Sequence, residues 1–365
     1  MSLQRNCLFA LILVAPVVAA TPLRSPWDAH PVPLTDAAYN CPAPPPFAKS
    51  LDAESYYIDA HHSIIDPVKK KAFEEATAAP THLGQWVGLA ADAYLTHGSR
   101  AAANCAYALL TDAADADAWT AAMPTAQATY SQKWMLSGTA MAYLKVRDSG
   151  VGTPEQDRKI QQWFEKVAGR LRDYVEGKRR SPNSDAWNNH LYWAGLAVAA
   201  AGVAANNTSD FRWGLNAYKD GVNEIEPSGA LPRELARAGM ALHYHLYALA
   251  PLVMIAELAE ANGQDLYPEN HNALERLVRL STAGLLDPGI FTKVTGVQQE
   301  MPDQISGALI GWAVPYLAHH PDPQLAATLQ KLVAQASTTR FWQWGGLPPD
   351  SPEVMTNSAG APAGH

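Results

Sequence analysis

Cysteine is scarce: three residues in 365, none of them in a paired spacing. With no HExxH and no Cys-x-x-Cys pattern, the common zinc frameworks are excluded. Phosphate-cradling loops are missing too: there is no GxGxxG, no P-loop, and no GxSxG in a strand–turn–helix context. Alternating β-branched runs are rare, which argues against a sheet. Basic charge is in deficit, 27 Lys and Arg against 35 Asp and Glu for a net charge of −8. That balance excludes the basic footprint of a nucleic-acid binder. After the first twenty residues no segment reads as long and apolar enough to cross a membrane.

What is present is apolar and helical. Hydrophobic residues make up 48% of the chain, enough for a sizeable core. The first twenty residues read as a cleavable signal peptide. Arg5 supplies the positive end, residues 8–18 a short apolar run, and Val18-Ala19-Ala20 a small-residue cleavage site. The expected location is therefore periplasmic or secreted, with Thr21 leading the mature chain and no membrane insertion after cleavage. Cleavage removes Cys7 and leaves Cys41 and Cys105. In an oxidising compartment two cysteines suggest one disulfide, the alternative being two buried thiols.

Residues 21–50 form a proline-rich arm ending in Cys41-Pro42-Ala43-Pro44-Pro45-Pro46. From Asp66-Pro67 the pattern turns helical, a cap followed by proline at the first helical position. Helices are expected near 67–78, 82–97, 99–114, 126–148, 154–176, 186–204, 209–225, 234–261, 270–284, 303–318 and 322–337, with breaks including Pro80. Their short connections favour antiparallel hairpins. The fold expected is all-α, an incomplete α/α toroid built from such hairpins. The domain reading is signal peptide 1–20, arm 21–50, toroid 51–350 and flexible tail 351–365.

Two constellations carry chemistry. Asn188-Asn189-His190-Leu191-Tyr192-Trp193 opens a helix, with Asn189 and Trp193 on one face and His190 beside them. Leu231-Pro232-Arg233-Glu234-Leu235-Ala236-Arg237 runs into His243-Tyr244-His245-Leu246-Tyr247, and Arg233, Arg237 and Tyr244 fall on one stripe if a single helix carries them. Read blandly, these are a capped helix and an amphipathic face with snorkelling Arg side chains. Together they suit elimination across a 4-linked uronate. Asn and Arg neutralise the C6 carboxylate, a base takes the C5 proton, and an acid protonates the leaving O4. An Arg charge at ~5 Å and effective ε of ~20 favours a phenolate by roughly 3 kcal/mol, about two pKa units, so a Tyr beside Arg becomes a candidate base.

These residues resemble the alginate lyases of polysaccharide lyase family 5, the poly(β-D-mannuronate) lyases. The resemblance rests on Asn188-Asn189-His190 with Tyr192-Trp193, on Leu231-Pro232, Glu234-Leu235 and Arg237, and on Tyr244-His245, Tyr247-Ala248-Leu249 and Pro251-Leu252. Cys41-Pro42, Cys105 and the Trp134 helix also match. It implies an exported enzyme with a deep cleft, no metal and no cofactor. It casts Asn189 as carboxylate neutraliser, His190 as base and Tyr244 as acid, and as base too for mannuronate. Arg237 tunes that Tyr and binds carboxylate. Lys69 (or its neighbour Lys70), Trp193, Tyr247 and Arg340 are the expected substrate-binding residues. The partner expected is an anionic polysaccharide, handled by a monomer. The aromatic run Phe341-Trp342-Gln343-Trp344 is longer than the family's, which suggests a changed subsite and glucuronate polymers, glucuronan or hyaluronan, as further substrates.

Two other readings belong beside this one. An inverting glycoside hydrolase on a similar toroid needs two carboxylates flanking the bond, in the range of about 5–9.5 Å apart that glycosidases use, with Glu234, Asp185 and Glu224 available. A non-catalytic periplasmic polyuronate-binding protein would leave the polymer intact.

Overall fold

A computed structural model describes residues 21–28, 32–319 and 322–354. The expected signal peptide and residues 355–365 of the expected tail lie outside the described residues. The expected tail boundary at 351 is too early, because Ser351 and Val354 are buried against the body.

The helices, in chain order, are α1 (Pro67–Ala76), α2 (Ala78–His97), α3 (Arg100–Asp115), α4 (Ala126–Val146), α5 (Pro154–Lys178), α6 (Asn189–Ala204), α7 (Thr208–Asn223), α8 (Pro232–Leu235), α9 (Ala241–Glu260), α10 (Glu269–Leu286), α11 (Gly289–Thr295), α12 (Gly307–Ile310), α13 (Ala313–His319) and α14 (Pro323–Gln335). Local chemistry explains several starts. Asp66 accepts from the Val68 and Lys69 amides with Pro67 at the first position of α1, and Thr153 with Gln156 closes a capping box on α5. Several sequence expectations need correction, among them the helix expected over 303–318, which is the two short helices α12 and α13. Pro80 does not break a helix; it lies in the first turn of α2, where its missing N–H costs nothing. The helix expected over 234–261 is divided: α8 ends at Leu235, Ala238 turns with φ +49, and α9 starts at Ala241.

The helices form two layers. α2, α4, α6 and α9 pack side by side in that order as an inner wall, and α3, α5, α7 and α10 alternate behind them. Composition sets the layers. From Leu191 to Ala204 every residue of α6 is buried, as a helix apolar all round requires. α5 and α7 carry one apolar stripe each and face solvent on the other side. This is the incomplete α/α toroid expected from the hairpins. The segment Ala238–Glu260 is in fact long and apolar enough to span a bilayer, contrary to the sequence reading, but it is almost wholly buried as the last inner helix.

The arm is stapled to the body. Cys41 and Cys105 form a disulfide with Cα atoms 5.5 Å apart, closing a loop of 64 residues. Chain-entropy arguments value such a closure at roughly 4 kcal/mol. At the other end, residues 341–347 cross the inner face of α2 and α4. Lys145 Nζ donates to Asp92 Oδ1 at 2.7 Å and to the carbonyls of Gly345 and Leu347, and the Leu347 amide donates back to Asp92. The strand of chain approaches so closely that a Cβ on Gly138 would stand 2.3 Å from the Trp342 carbonyl oxygen. Gly138→Ala should therefore cost about 1–2 kcal/mol, the helix-propensity gain being outweighed by overpacking. Denaturant unfolding measures it, and an unchanged midpoint would show that the segment yields freely.

Candidate active site

All inner helices of the wall start at the same end, and their first turns line one cavity of about 730 Å³. α2 contributes Thr81, His82 and Gln85, α4 contributes Gln127, Tyr130 and Trp134, α6 contributes His190 after its cap Asn188, and α9 contributes His243, Tyr244 and Tyr247. Phe341, Trp342 and Gln343 complete one side, and Tyr56, Tyr57 and His62 another. Four helix N-termini thus gather their partial positive charge at one place. This is how a chain of net negative charge presents a local field suited to a polyanion.

Tyr244 is buried, and its hydroxyl lies 2.7 Å from that of Tyr57. Arg237 comes from the turn between α8 and α9, not from one continuous helix stripe. Its guanidinium stacks on the Tyr244 ring, 3.5 Å from the centroid. Nε and Nη2 donate to the carbonyls of His61 and His62 at 2.9 and 2.7 Å, which fixes its plane. Burial pushes the Tyr244 phenol up; Arg237 opposes the shift without cancelling it. The sequence argument for a lowered Tyr pKa is therefore reversed. The cation sits over the ring face rather than on the oxygen, and desolvation wins. At rest Tyr244 is a phenol, primed as an acid.

His190 stacks on Tyr130, with centroids 3.7 Å apart and planes 14° from parallel. Its Nδ1 lies 2.9 Å from Lys133 Nζ. Burial first, and then the charges of Lys133, Arg237 and His62, hold the imidazole well below its ordinary pKa, so it is neutral at pH 7. Burial likewise pulls Lys133 down to about 7, with Asp185 opposing. Tyr130 and Tyr174 both donate to Asp185 Oδ2 behind the His190 ring.

The remaining sequence-nominated residues divide sharply. Asn189 does not face the cavity. It is fully buried, and its backbone N–H and Nδ2 both donate to Glu234 Oε1 at 2.8 and 2.9 Å. The neighbouring cap, Asn188, lines the cavity instead, with Oδ1 taken by the His190 amide. Trp193 is also fully buried and props Tyr247 and Phe341 from behind. Tyr247 does reach the cavity and donates to Gln343 Oε1 at 2.5 Å. Lys69 is exposed on α1 and outside the cavity wall. Arg340 is outside it as well, with Nε donating to Asp92 at 3.1 Å. Tyr57, Tyr130, Lys133 and Asp185 were not singled out as partners of the lyase constellation. For Lys133 the sequence signal was its place in the polar run Ser131-Gln132-Lys133 of α4, which burial tolerates only with partners; Tyr57, Tyr130 and Asp185 carry no such local signal.

Comparison with known proteins decides the family. The alginate lyase family model matches residues 50–291. The chain belongs to the alginate lyase family. A polysaccharide lyase of Stenotrophomonas maltophilia is 40% identical over 285 residues, covering 77% of this chain and 82% of that one. An alginate lyase of Pseudomonas syringae pv. syringae is 36% identical over 288 residues, covering 77% and 75%. In fold the chain is similar to alginate lyase A1-III from Sphingomonas species A1, with a TM-score of 0.69 at 23% identity over 87% of both chains. This alginate lyase homologue is thus a polysaccharide lyase, and the hydrolase reading loses its footing in the site as well. Of the three carboxylates that reading named, Asp185 alone lines the cavity, and it is tied to two tyrosines. Glu224 pairs with Arg233 at 3.4 Å, and Glu234 is buried on Asn189.

Proposed function

We propose that the lyase cleaves both mannuronate and glucuronate polymers by β-elimination at this one site, with His190 and Tyr244 as the proton-moving pair. The observation that supports this is the pairing itself: a neutral imidazole and a protonated phenol line one cavity at the positive ends of the inner helices. The uronate carboxylate is held by Asn188 and the positive start of α6, joined in mannuronate cleavage by the His190 N–H, which stabilises the enolate-like intermediate. In glucuronate C5–H and O4 lie on opposite faces, so His190 takes the proton and Tyr244 gives one to O4. In mannuronate both lie on one face, and Tyr244 serves as base and then acid. We further read the protein as exported, which the arm's disulfide supports, and as acting as a monomer.

The two geometries differ in what they need from pH. Mannuronate cleavage needs the Tyr244 phenolate, and burial has raised that phenol. A raised acid is deprotonated only as pH climbs, so kcat on polymannuronate should rise about tenfold per unit through the neutral range. Ultraviolet absorbance of the new C4–C5 double bond, followed on polymannuronate, polyguluronate, glucuronan and hyaluronan across pH, tests both statements. A flat profile on polymannuronate between pH about 7 and about 9 would contradict the phenolate base. Absence of a rise on glucuronan and hyaluronan would restrict the enzyme to alginate.

A further inference from the structure

Lys133 is a buried cation that none of the steps above uses. Its side chain is 3% exposed on α4, and its Nζ sits 4.5 Å from the Tyr130 ring centroid and 5.4 Å from that of Trp134. Its strongest contact is His190 Nδ1 at 2.9 Å. We propose that Lys133 is a positioning residue that decides which nitrogen of His190 carries the proton, and so switches His190 between hydrogen-bond donor and base. The inference deepens the proposed function and rests on its assignment of His190.

The argument is one of donor counting. An ammonium has three donors and no acceptor. Facing it, Nδ1 must offer its lone pair, and the imidazole proton goes to Nε2, the ring nitrogen left for the cavity. His190 then offers a uronate carboxylate an N–H, but has no lone pair with which to take the C5 proton. A neutral amine donates or accepts, so Nδ1–H pointing at Nζ becomes allowed and the Nε2 lone pair is freed. With that tautomer the step balances. The C5–H proton passes to Nε2 while the Nδ1 proton passes to Nζ. The C5 electron pair becomes the C4–C5 double bond, the C4–O4 bond breaks, and O4 takes the Tyr244 proton. Lys133 leaves the turnover as an ammonium and Tyr244 as a phenolate, and exchange with solvent resets both.

The surroundings place the switch near neutrality. Lys133 is held down to about 7 by burial, against the attraction of Asp185. His190 faces Tyr130 and Lys133 from α4, Asp185 from the turn before α6, and the charges of Arg237 and His62 across the cavity. Tyr130 and Tyr174 are both raised by burial and by Asp185, so neither titrates in this range. The imidazole stays neutral throughout, and what changes with pH is its tautomer.

Nitrogen NMR of histidine-labelled enzyme reads the tautomer directly, with the His190 signals assigned by their loss in His190→Gln. From about pH 5.5 to about pH 9 the wild type should pass from the Nε2–H form to a mixture containing Nδ1–H, centred near 7. Lys133→Met should abolish that transition. Lys133→Arg, which keeps a donor that never loses its charge, should hold the Nε2–H form throughout. On glucuronan the wild-type rate should rise about tenfold between pH about 6 and about 8, and Lys133→Arg should lose that rise. One tautomer, insensitive to pH and equal in wild type and Lys133→Met, overturns the proposal, as does Nδ1–H at low pH. A tautomer transition in an enzyme that never cleaves glucuronan would uphold Lys133's control and remove the glucuronate reading alone.

Discussion

Tyr244→Phe should lower kcat on polymannuronate by about 10³-fold, about 4 kcal/mol of barrier, while KM changes by no more than roughly threefold. The substitution removes one oxygen and keeps the ring on which Arg237 stacks at 3.5 Å, so the walls of the cavity stay in place. What is lost is the one phenol that, for a same-face elimination, both removes the C5 proton and delivers a proton to O4. Tyr57 is left with a hydroxyl whose 2.7 Å partner is gone. Its own phenol is raised by burial and by Tyr244, so it is a poor substitute base. Steady-state kinetics by ultraviolet absorbance gives the answer. A variant that keeps more than about a tenth of wild-type kcat would move the proton transfer to another group.

The largest stability effect should come from Asp92→Asn, a loss of about 3–5 kcal/mol and a fall in Tm on the order of 10 °C. Asp92 is buried in α2 and meets three donors: Lys145 at 2.7 Å, Arg340 at 3.1 Å and the Leu347 amide at 3.0 Å. Neutralising it leaves the fully buried Lys145 ammonium facing carbonyls alone, and an uncompensated buried charge is far costlier than a missing surface pair. Arg340→Ala removes the half-exposed partner and should cost less than about 1 kcal/mol. The effect also reaches the site. The segment that Asp92 and Lys145 pin down carries Phe341, Trp342 and Gln343 into the cavity wall, so KM should rise in Asp92→Asn at temperatures where the protein is still folded. Calorimetry and kinetics on the same samples separate the two. Equal losses from Asp92→Asn and Arg340→Ala would show that the buried pair is not the anchor.

The helices were legible because their signals are local: Asp66-Pro67, Thr153-Pro154 and the apolar run after His190 each announce an element within a few residues. The division near Arg237 was not, because residues 233–260 look helical throughout and only tertiary packing turns the chain at Ala238. The site followed the same rule. Tyr244, Arg237, His190 and Tyr247 meet in the cavity, where the two motif blocks placed them. Asn189 and Asn188 are adjacent and chemically identical, so sequence could not tell which faces substrate. The cap conformation of Asn188 settles it by turning Asn189 onto Glu234. Trp193 and Arg340 had the right chemistry for sugar and carboxylate, but they contact the groups that shape the wall. Lys133 and Tyr57 come to the site from segments 57 and 187 residues away from their partners, a proximity that no local pattern encodes.

The most direct test of the account is a crystal structure of Tyr244→Phe with a mannuronate tetrasaccharide. The chain should lie across the converging starts of α2, α4, α6 and α9. One carboxylate should bond Asn188 and His190 Nε2, and the scissile O4 and C5 should both face the ring at position 244. A carboxylate bound instead by Arg340 or Lys69, with O4 turned away from position 244, would contradict it.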